Sequence, residues 1–498
     1  MEMQNFAPVM FAGLVIVMLI GFPVAFSLAA LGLGCGFYAI EMGWFPAAFM
    51  GNLPISIFSI LNNDLLLAIP FFTFMGAILE KCGLAEDMLD SMGQLFGPIR
   101  GGLGYSVIIV GFILGAITGT VAGQVIAMAL ISLPVMIRYG YNMRYATGVL
   151  AASGTITQLV PPSLVLVVLA DQLGRSVGDM YKGAWGPSLI QIAMFALYTF
   201  SLSIFKPHHV PGVPIEARTL NGWALWRKCL KGIIPSAVLI FTVLGSMGGL
   251  PFQDHAVATP TEAGAMGVVG ALILAGIHKR LSKALLWDAM QATMRLTAMV
   301  VFILIGSRVF SLVFQGVDGA IWVEHLLSGL PGGQIGFLIV VNIFVFFLAF
   351  FLDFFEIAFI IVPMLAPVAD KMGIDLIWFG VLLCVNLQTS FMHPPFGFAL
   401  FYLRGIADTL FKEKRIPVPV KSNDIYLGSI PWVIMQLLLV LVVIFVPQTV
   451  TSFLDKPEVV DVDSVVLEAA PAPDNEPAEG QSDDPMKDMM PAPPDDKK

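Results

Sequence analysis

Two stretches of this chain combine a double proline with a run of side-chain oxygens. Residues 151–163 carry Ser153, Thr155, Thr157, Gln158 and Ser163 around Pro161-Pro162. Residues 386–397 carry Asn386, Gln388, Thr389, Ser390 and His393 just before Pro394-Pro395. Proline lacks an N–H and its ring collides with the preceding turn, so two in succession interrupt a helix and free carbonyl groups. At membrane depth such groups persist only where protein, water or an ion satisfies them. Freed carbonyls together with hydroxyl and amide oxygens form a suitable ligand set for a dehydrated Na⁺. A plain proline kink would explain either stretch alone; two of them at matching positions weigh against it.

Three charged residues stand in apolar surroundings. Asp353 and Glu356 lie within Phe-Phe-Leu-Asp-Phe-Phe-Glu-Ile-Ala, and Arg308 within Ile-Gly-Ser-Arg-Val-Phe. A carboxylate there costs several kcal/mol, on the order of 3, unless it is paired or faces a wet cavity. The pair of acids therefore marks an ion or proton site, or the partner of a buried cation. Arg308 is the cation available, either as that partner or as a ligand for a substrate carboxylate. Upstream of the first break, Gly115, Gly119 and Gly123 space small residues four apart, which serves close helix packing or a site around Thr118 and Thr120. His393 reads as a polar lining residue rather than a metal ligand, and His208-His209 as a solvated pair. The four cysteines show no metal or disulfide spacing. No phosphate-binding loop, zinc-binding helix or nucleophile elbow is present, which excludes ATP hydrolysis by this chain and argues against an enzyme.

The elements that must hold these residues follow a repeat. Pro161-Pro162 recurs as Pro394-Pro395, and the same offset of 233 places Pro98 on Pro331, Pro134 on Pro367 and Gly140 on Gly373. It also places Thr120 on Asp353, Thr155 on Gln388 and Thr157 on Ser390. Apolar runs separated by short charged stretches suggest about 11 crossings of a bilayer, plus re-entrant hairpins. The expected fold is an all-α polytopic membrane protein with two re-entrant hairpins in two structural repeats, inverted if each has an odd number of crossings. Its layout is scaffold helices over 1–60, a first repeat over 61–205, a cytoplasmic loop and further scaffold helices over 206–292, a second repeat over 293–450 and an acidic tail over 451–498.

Composition agrees with a membrane class. Of 498 residues, 57% are hydrophobic and 12% charged, about half the charged share of a soluble domain. The net charge of −9 resides entirely in residues 455–498, which hold 13 acidic and 4 basic residues. That Pro-, Ala- and Asp-rich tail buries too little apolar surface to fold and is expected to be disordered. The rest is balanced and offers no basic surface for nucleic acid. The Lys/Arg clusters at 206–231 and 278–283 flank one helix pair, and the positive-inside rule puts both in the cytoplasm.

Short motifs in a fixed order then point to a family. They are Leu67-Ala-Ile-Pro-Phe-Phe with Met75-Gly76, Gly83-Leu-Ala, Gly101-Gly-Leu, and Ile131-Ser-Leu-Pro-Val-Met with Gly140-Tyr141. After these come Ala152-Ser-Gly-Thr…Pro-Pro-Ser163, Thr259-Pro-Thr-Glu-Ala and Pro394-Pro-Phe-Gly-Phe-Ala. Over residues 5–450 the chain resembles the large, DctM-like membrane subunit of the tripartite ATP-independent periplasmic (TRAP) transporters, in the ion transporter superfamily. The resemblance implies Na⁺-coupled import, by an elevator-type movement, of a small organic acid: a C4-dicarboxylate, a 2-oxo acid or a related carboxylate. It implies a bacterial inner-membrane location, a small membrane subunit of about four helices, and a periplasmic substrate-binding protein. No cofactor beyond the coupling Na⁺ is implied. One sodium site maps to Thr118, Thr120, Thr155 and Thr157, and a second to Asp353, Gln388 and Ser390. Arg308, Ser163, Glu356 and His393 are expected along the substrate path. Thr118-Gly-Thr120 replaces the serine-rich run usual in the family, which keeps the oxygens and adds methyl groups. The alternative within this class is a stand-alone carboxylate symporter or exchanger.

Overall fold

The computed structural model describes residues 3, 6–214, 216, 219–220, 222–251, 253, 255–394 and 397–454, apart from the side chains at positions 19 and 118. Pro395 and nearly all of the acidic tail lie outside the described residues, which are helical with no strand among them. Apolar runs surrounded by lipid must satisfy their own backbone groups, and helices do so within one segment. The order is α1 (Phe6–Ile20), α2 (Val24–Glu41), α3 (Asn52–Leu61), α4 (Asp64–Lys81), α5 (Leu84–Phe96), α6 (Gly102–Thr118) and α7 (Val121–Arg138). Then come α8 (Met143–Thr155), α9 (Leu164–Leu173), α10 (Val177–Phe205), α11 (Gly222–Ser246), α12 (Pro260–Ile277) and α13 (Lys283–Gly316). The last third holds α14 (Gly319–Ser328), α15 (Gly333–Leu348), α16 (Phe354–Glu356), α17 (Val362–Lys371), α18 (Leu376–Leu387), α19 (Phe398–Lys412), α20 (Ser422–Phe445) and the short α21 (Gln448–Thr451). A π-helical turn, Ile357–Ile361, joins α16 to α17 in one continuous helix.

Seven of these helices are long and apolar enough to cross a membrane, and two bent pairs bring the number to nine. The pairs are Ala47–Leu61 with Asp64–Lys81 and Gly319–Ser328 with Gly333–Leu348. Four further apolar stretches, in α1, α6, α9 and α18 with its terminal turn, are shorter than a full span, so seven to nine spans stand against about eleven expected. At 1.5 Å per residue α6 is about 25 Å long, just short of the hydrocarbon thickness.

The 233-residue repeat holds at the level of secondary structure. Helices α7 and α8 correspond to α16–α17 and α18, and the caps match too: Asn142 opens α8 and Asp375 opens α18. Asn142 accepts from the Arg144 N–H at 3.0 Å, and Asp375 from the Trp378 N–H at 2.8 Å. Between the paired helices the chain turns at Gly140 (φ 77°) and Gly373 (φ 72°), a left-handed conformation that glycine adopts without a Cβ clash. Both α8 and α18 end in a 3₁₀ turn, Ile156–Gln158 and Gln388–Phe391. The double-proline segments therefore interrupt helices, as the sequence suggests. In the first, the last helical bond runs from the Val160 N–H to the Ile156 carbonyl at 3.1 Å, Pro161-Pro162 is a cis peptide, and α9 restarts at Leu164.

A frame of α2, α4, α12 and α13 stands beside these repeats. Helix α13 runs along α2 and also packs on α4, while α12 runs along α4. Glycines allow the closest crossing: a Cβ on Gly32 would lie 2.9 Å from the Phe310 nitrogen, and one on Gly306 would strike the Ala25 carbonyl. The Thr259-Pro-Thr-Glu262 motif is the start of α12, a capping box with proline in the first turn.

The most extensive contact between the halves joins α8 to α20. A Cβ on Gly148 would lie 2.5 Å from Trp432 Nε1 and would overlap the Gly428 carbonyl oxygen. Gly148→Val is expected to cost about 3 kcal/mol, the upper end for overpacking a rigid backbone contact. A fall in the unfolding temperature of the purified protein checks this.

Candidate functional site

Helix α6 packs along α7, whereas α8 and α9 do not pack along each other. In the first half, then, α6 and α7 form a hairpin whose tip is Gly119-Thr120, and α8–α9 is a single run broken at Val160–Ser163. Gly119, at φ 62° with no atom within 4 Å of an added Cβ, makes the tip turn. The small-residue spacing before it serves packing: a Cβ on Gly115 would lie 3.2 Å from Thr157 Cα, and one on Gly111 2.8 Å from Ser153 Cβ. Gln124, one turn into α7, fastens hairpin to break by donating to the Gly111 carbonyl at 2.6 Å and to the Ser153 carbonyl at 2.8 Å.

The second half has the same turn and break with different chemistry, although α15 packs on α18 and α20 rather than along α16–α17. Leu352 and Asp353 form the turn before α16, and Asp353 occupies the position of Thr120. Asp353 Oδ1 accepts from the Phe354 N–H, and Glu356 Oε2 accepts from the Asp353 N–H at 2.9 Å, which closes a capping box. Thr120 makes no equivalent bond. The first intrahelical bond of α7 runs from the Gln124 N–H to the Thr120 carbonyl, so the N–H groups before it have no acceptor in the helix.

Both tips face one cavity of about 330 Å³. Its walls come from equivalent positions of the two halves: Thr120 with Asp353, Val121 with Phe354, Ala122 with Phe355, Gln158 with Phe391, and Val165 with Phe398. Leu296 and Met299 of α13 close one side and Tyr402 of α19 another. The cavity thus lies where the two tips meet α13, with both repeats contributing to its walls. It offers a carboxylate on one tip, an uncapped helix N-terminus on the other and no basic side chain among its lining residues. An acid at one tip attracts a cation, and free N–H groups at a helix start attract an anion.

The expected site residues divide into three groups. Thr120, Asp353 and Gln158 line the cavity. Thr155, Thr157, Ser163, Gln388, Ser390 and Glu356 are buried in the protein around it. Thr157 Oγ1 donates to the Gly154 carbonyl, and Ser163 Oγ donates to the Gln158 carbonyl and caps α9 by accepting from the Val165 N–H at 3.2 Å. Thr118 ends α6 beside the tip. Pro161 and Pro162 are buried at the first break, and Pro394 is partly buried at the second.

Arg308 stands apart. It is exposed on α13, and among the described residues no ion pair joins it to Asp353 or Glu356. Nine residues separate it from Met299, about 13 Å along the helix axis, so the pairing suggested by the sequence is not formed. The two acids are instead satisfied locally by the capping box. His393 is 1% exposed and lies between Phe350, stacked at 4.2 Å, and Phe346, edge-on at 4.3 Å. Neither of its ring nitrogens has a partner.

Two further sets of polar residues stand out, one that the sequence places at the breaks without a specific role and one that it does not single out. Ser153 and Asn386 are equivalent positions, and Ser153 Oγ and Asn386 Oδ1 are both buried without a partner, as is Gln158 Oε1 beside the cavity. The other set is Gln124, Gln191 and Gln436, fully buried amides within apolar helices. A lone amide in such a run was the available signal, since membrane helices carry one only where it is bonded or lines a wet space.

The chain matches the family described as Tripartite ATP-independent periplasmic transporter, DctM component, over residues 11–449. It is 26% identical over 458 residues to the C4-dicarboxylate TRAP transporter large permease protein DctM of Rhodobacter capsulatus, covering 89% of this chain and 97% of that one. It is 25% identical over 432 residues to the 2,3-diketo-L-gulonate TRAP transporter large permease protein YiaN of Escherichia coli, covering 86% and 95%. The isethionate TRAP transporter permease protein DctMQ of Oleidesulfovibrio alaskensis is 25% identical over 83% of this chain and 62% of its own length. Among solved structures, the Alcanivorax borkumensis YdaH transporter shares the fold with a TM-score of 0.54 at 14% identity, over 80% of this chain and 87% of that one. The matching family spans nearly all the described helices, so this multi-pass protein of the bacterial inner membrane belongs to the TRAP transporter large permease family and is a transport subunit rather than an enzyme.

Proposed function

We propose that this subunit imports a small organic acid, coupled to Na⁺, by moving the hairpin-and-break bundle against the α2/α4/α12/α13 frame. The observation that carries this reading is the single cavity lined by equivalent residues of both repeats and closed by the frame helix α13. Inverted repeats that meet at a shared site are the usual basis of alternating access. In this reading Na⁺ binds at the breaks, with oxygens from Thr118, Thr120, Thr155 and Thr157 at one and from Asp353, Gln388 and Ser390 at the other. The unpartnered oxygens of Ser153 and Asn386 are further ligand candidates. The substrate carboxylate is placed at the uncapped start of α7, where free N–H groups favour an anion. Ser163, Glu356 and His393 shape the surroundings, and Arg308, outside the cavity, has at most an indirect role.

The partners follow from the family: a small membrane subunit and a periplasmic binding protein that delivers the acid. Relatives are named for C4-dicarboxylates, 2,3-diketo-L-gulonate and isethionate, so a small, strongly acidic solute is the class to test first. The test reconstitutes the chain with its small subunit in vesicles and follows uptake of solute loaded on the binding protein. Uptake is expected to need both an inward Na⁺ gradient and the binding protein. Equal uptake with choline replacing Na⁺ would remove the coupling, and uptake of free solute by this chain alone would favour a stand-alone symporter.

A further inference from the structure

Each break is fastened by a glutamine from the opposite half. Thr155 and Gln388 are equivalent positions in the two repeats. Gln436 of α20 donates from Nε2 to Thr155 Oγ1 at 3.0 Å, so a second-half helix grips the first break. Gln191 of α10 and Gln388 exchange two amide bonds, at 2.8 and 3.1 Å, so a first-half helix grips the second break. All four side chains are 1% exposed or less. Met392, from the second break, reaches the grip on the first: its sulfur lies 3.7 Å from Thr155 Oγ1 and 3.8 Å from Gln436 Nε2.

We propose that Gln191 and Gln436 are positioning residues that lock the two breaks to each other, so that filling one ion site sets the geometry of the other. This rests on the reading that Na⁺ binds at the breaks. Helix packing supports the crossed arrangement, because α20 packs along α8 while α10 packs on α18, and α10 and α20 also touch each other. Neither end helix can shift without dragging the opposite break through a buried bond, and a buried amide stripped of its partner is costly. The bonds therefore transmit strain between the breaks rather than merely filling space.

The two grips differ in a way that an experiment can use. Thr155 keeps its own bond to the Ala152 carbonyl at 2.9 Å. Gln436→Met therefore removes the brace without stranding a donor, and a thioether chain occupies similar volume. Gln191→Leu instead leaves the Gln388 amide unpaired and can fail to fold, in which case Gln436→Met carries the test alone. The purified complex with its small subunit is titrated with NaCl against choline chloride at constant ionic strength, and the Na⁺-induced rise in unfolding temperature is recorded. In the wild-type complex that rise is expected to be sigmoidal. In Gln436→Met the midpoint is expected to move about 10-fold higher in Na⁺ and the curve to become hyperbolic, the scale of one lost buried hydrogen bond. The unfolding temperature in choline is expected to stay within a few degrees, about the shift that 1 kcal/mol brings. A lower unfolding temperature in choline with an unchanged Na⁺ midpoint and sigmoidicity would mean a structural bond only and would overturn the proposal. No Na⁺ response in the wild-type complex would overturn the ion reading and the proposal with it.

Discussion

Replacing Asp353 with alanine is expected to abolish Na⁺-driven uptake, by on the order of 100-fold, while the protein still inserts and purifies normally. The size follows from losing one charge-assisted ligand contact of about 3 kcal/mol, with each 1.4 kcal/mol worth a factor of ten. Alanine also removes the N-cap of α16, which costs about 1 kcal/mol of stability, so this variant alone mixes two effects. Asp353→Asn separates them. Asparagine caps a helix as well as aspartate does and can still accept from the Phe354 N–H, as Asp353 Oδ1 does. It carries no charge toward the cavity. Both variants are expected to lose uptake, and only the alanine variant to lose unfolding temperature. Normal uptake in Asp353→Asn with wild-type Na⁺ dependence would reduce Asp353 to a capping residue and leave the cavity without its acid.

Glu356 marks the limit of what the sequence could show here. Two carboxylates three apart amid phenylalanines call for a partner, and Arg308 is the cation that the sequence offers. The spacing of three is also that of a capping box, in which both acids are satisfied by backbone N–H groups at the start of one helix. The helix start at Phe354 decides between these readings, and it depends on the turn at Leu352-Asp353, which no local composition announces. The double prolines were far easier to read, because proline acts on its own backbone and needs no tertiary knowledge. The repeat was readable for the same reason: Pro134, Gly140, Pro161 and their partners each fix local geometry. What stayed hidden is whatever depends on a neighbour distant in sequence. Gln191 and Gln388 are 197 residues apart and Gln436 and Thr155 are 281 apart, so only the fold pairs them. The glycines of α6 fall between these cases, since their spacing announces a close contact without naming its partner.

That contact yields the second large effect. Gly115 faces the first break so closely that an added Cβ would meet Thr157 Cα at 3.2 Å, its nitrogen at 3.3 Å and its Cγ2 at 3.4 Å. Gly115→Ala asks the neighbours to give by a few tenths of an ångström and is expected to lose at most about 1 kcal/mol, the low end for overpacking. Gly115→Leu places further carbons where the Thr157 backbone runs, so α6 and the break must separate. Uptake is expected to fall about 100-fold, the scale that a displacement of about 1 Å carries at a preorganised site. Thr157→Val is the companion variant, because it keeps the shape and deletes the hydroxyl that donates to the Gly154 carbonyl. If Thr157 is an ion ligand, Thr157→Val raises the Na⁺ midpoint without changing how α6 packs, whereas Gly115→Leu alters the maximal uptake and the midpoint together. Wild-type uptake in Gly115→Leu would show that the hairpin can leave the break without consequence. The site would then reduce to the cavity side of the tips, with Thr120 and Asp353 but without Thr157.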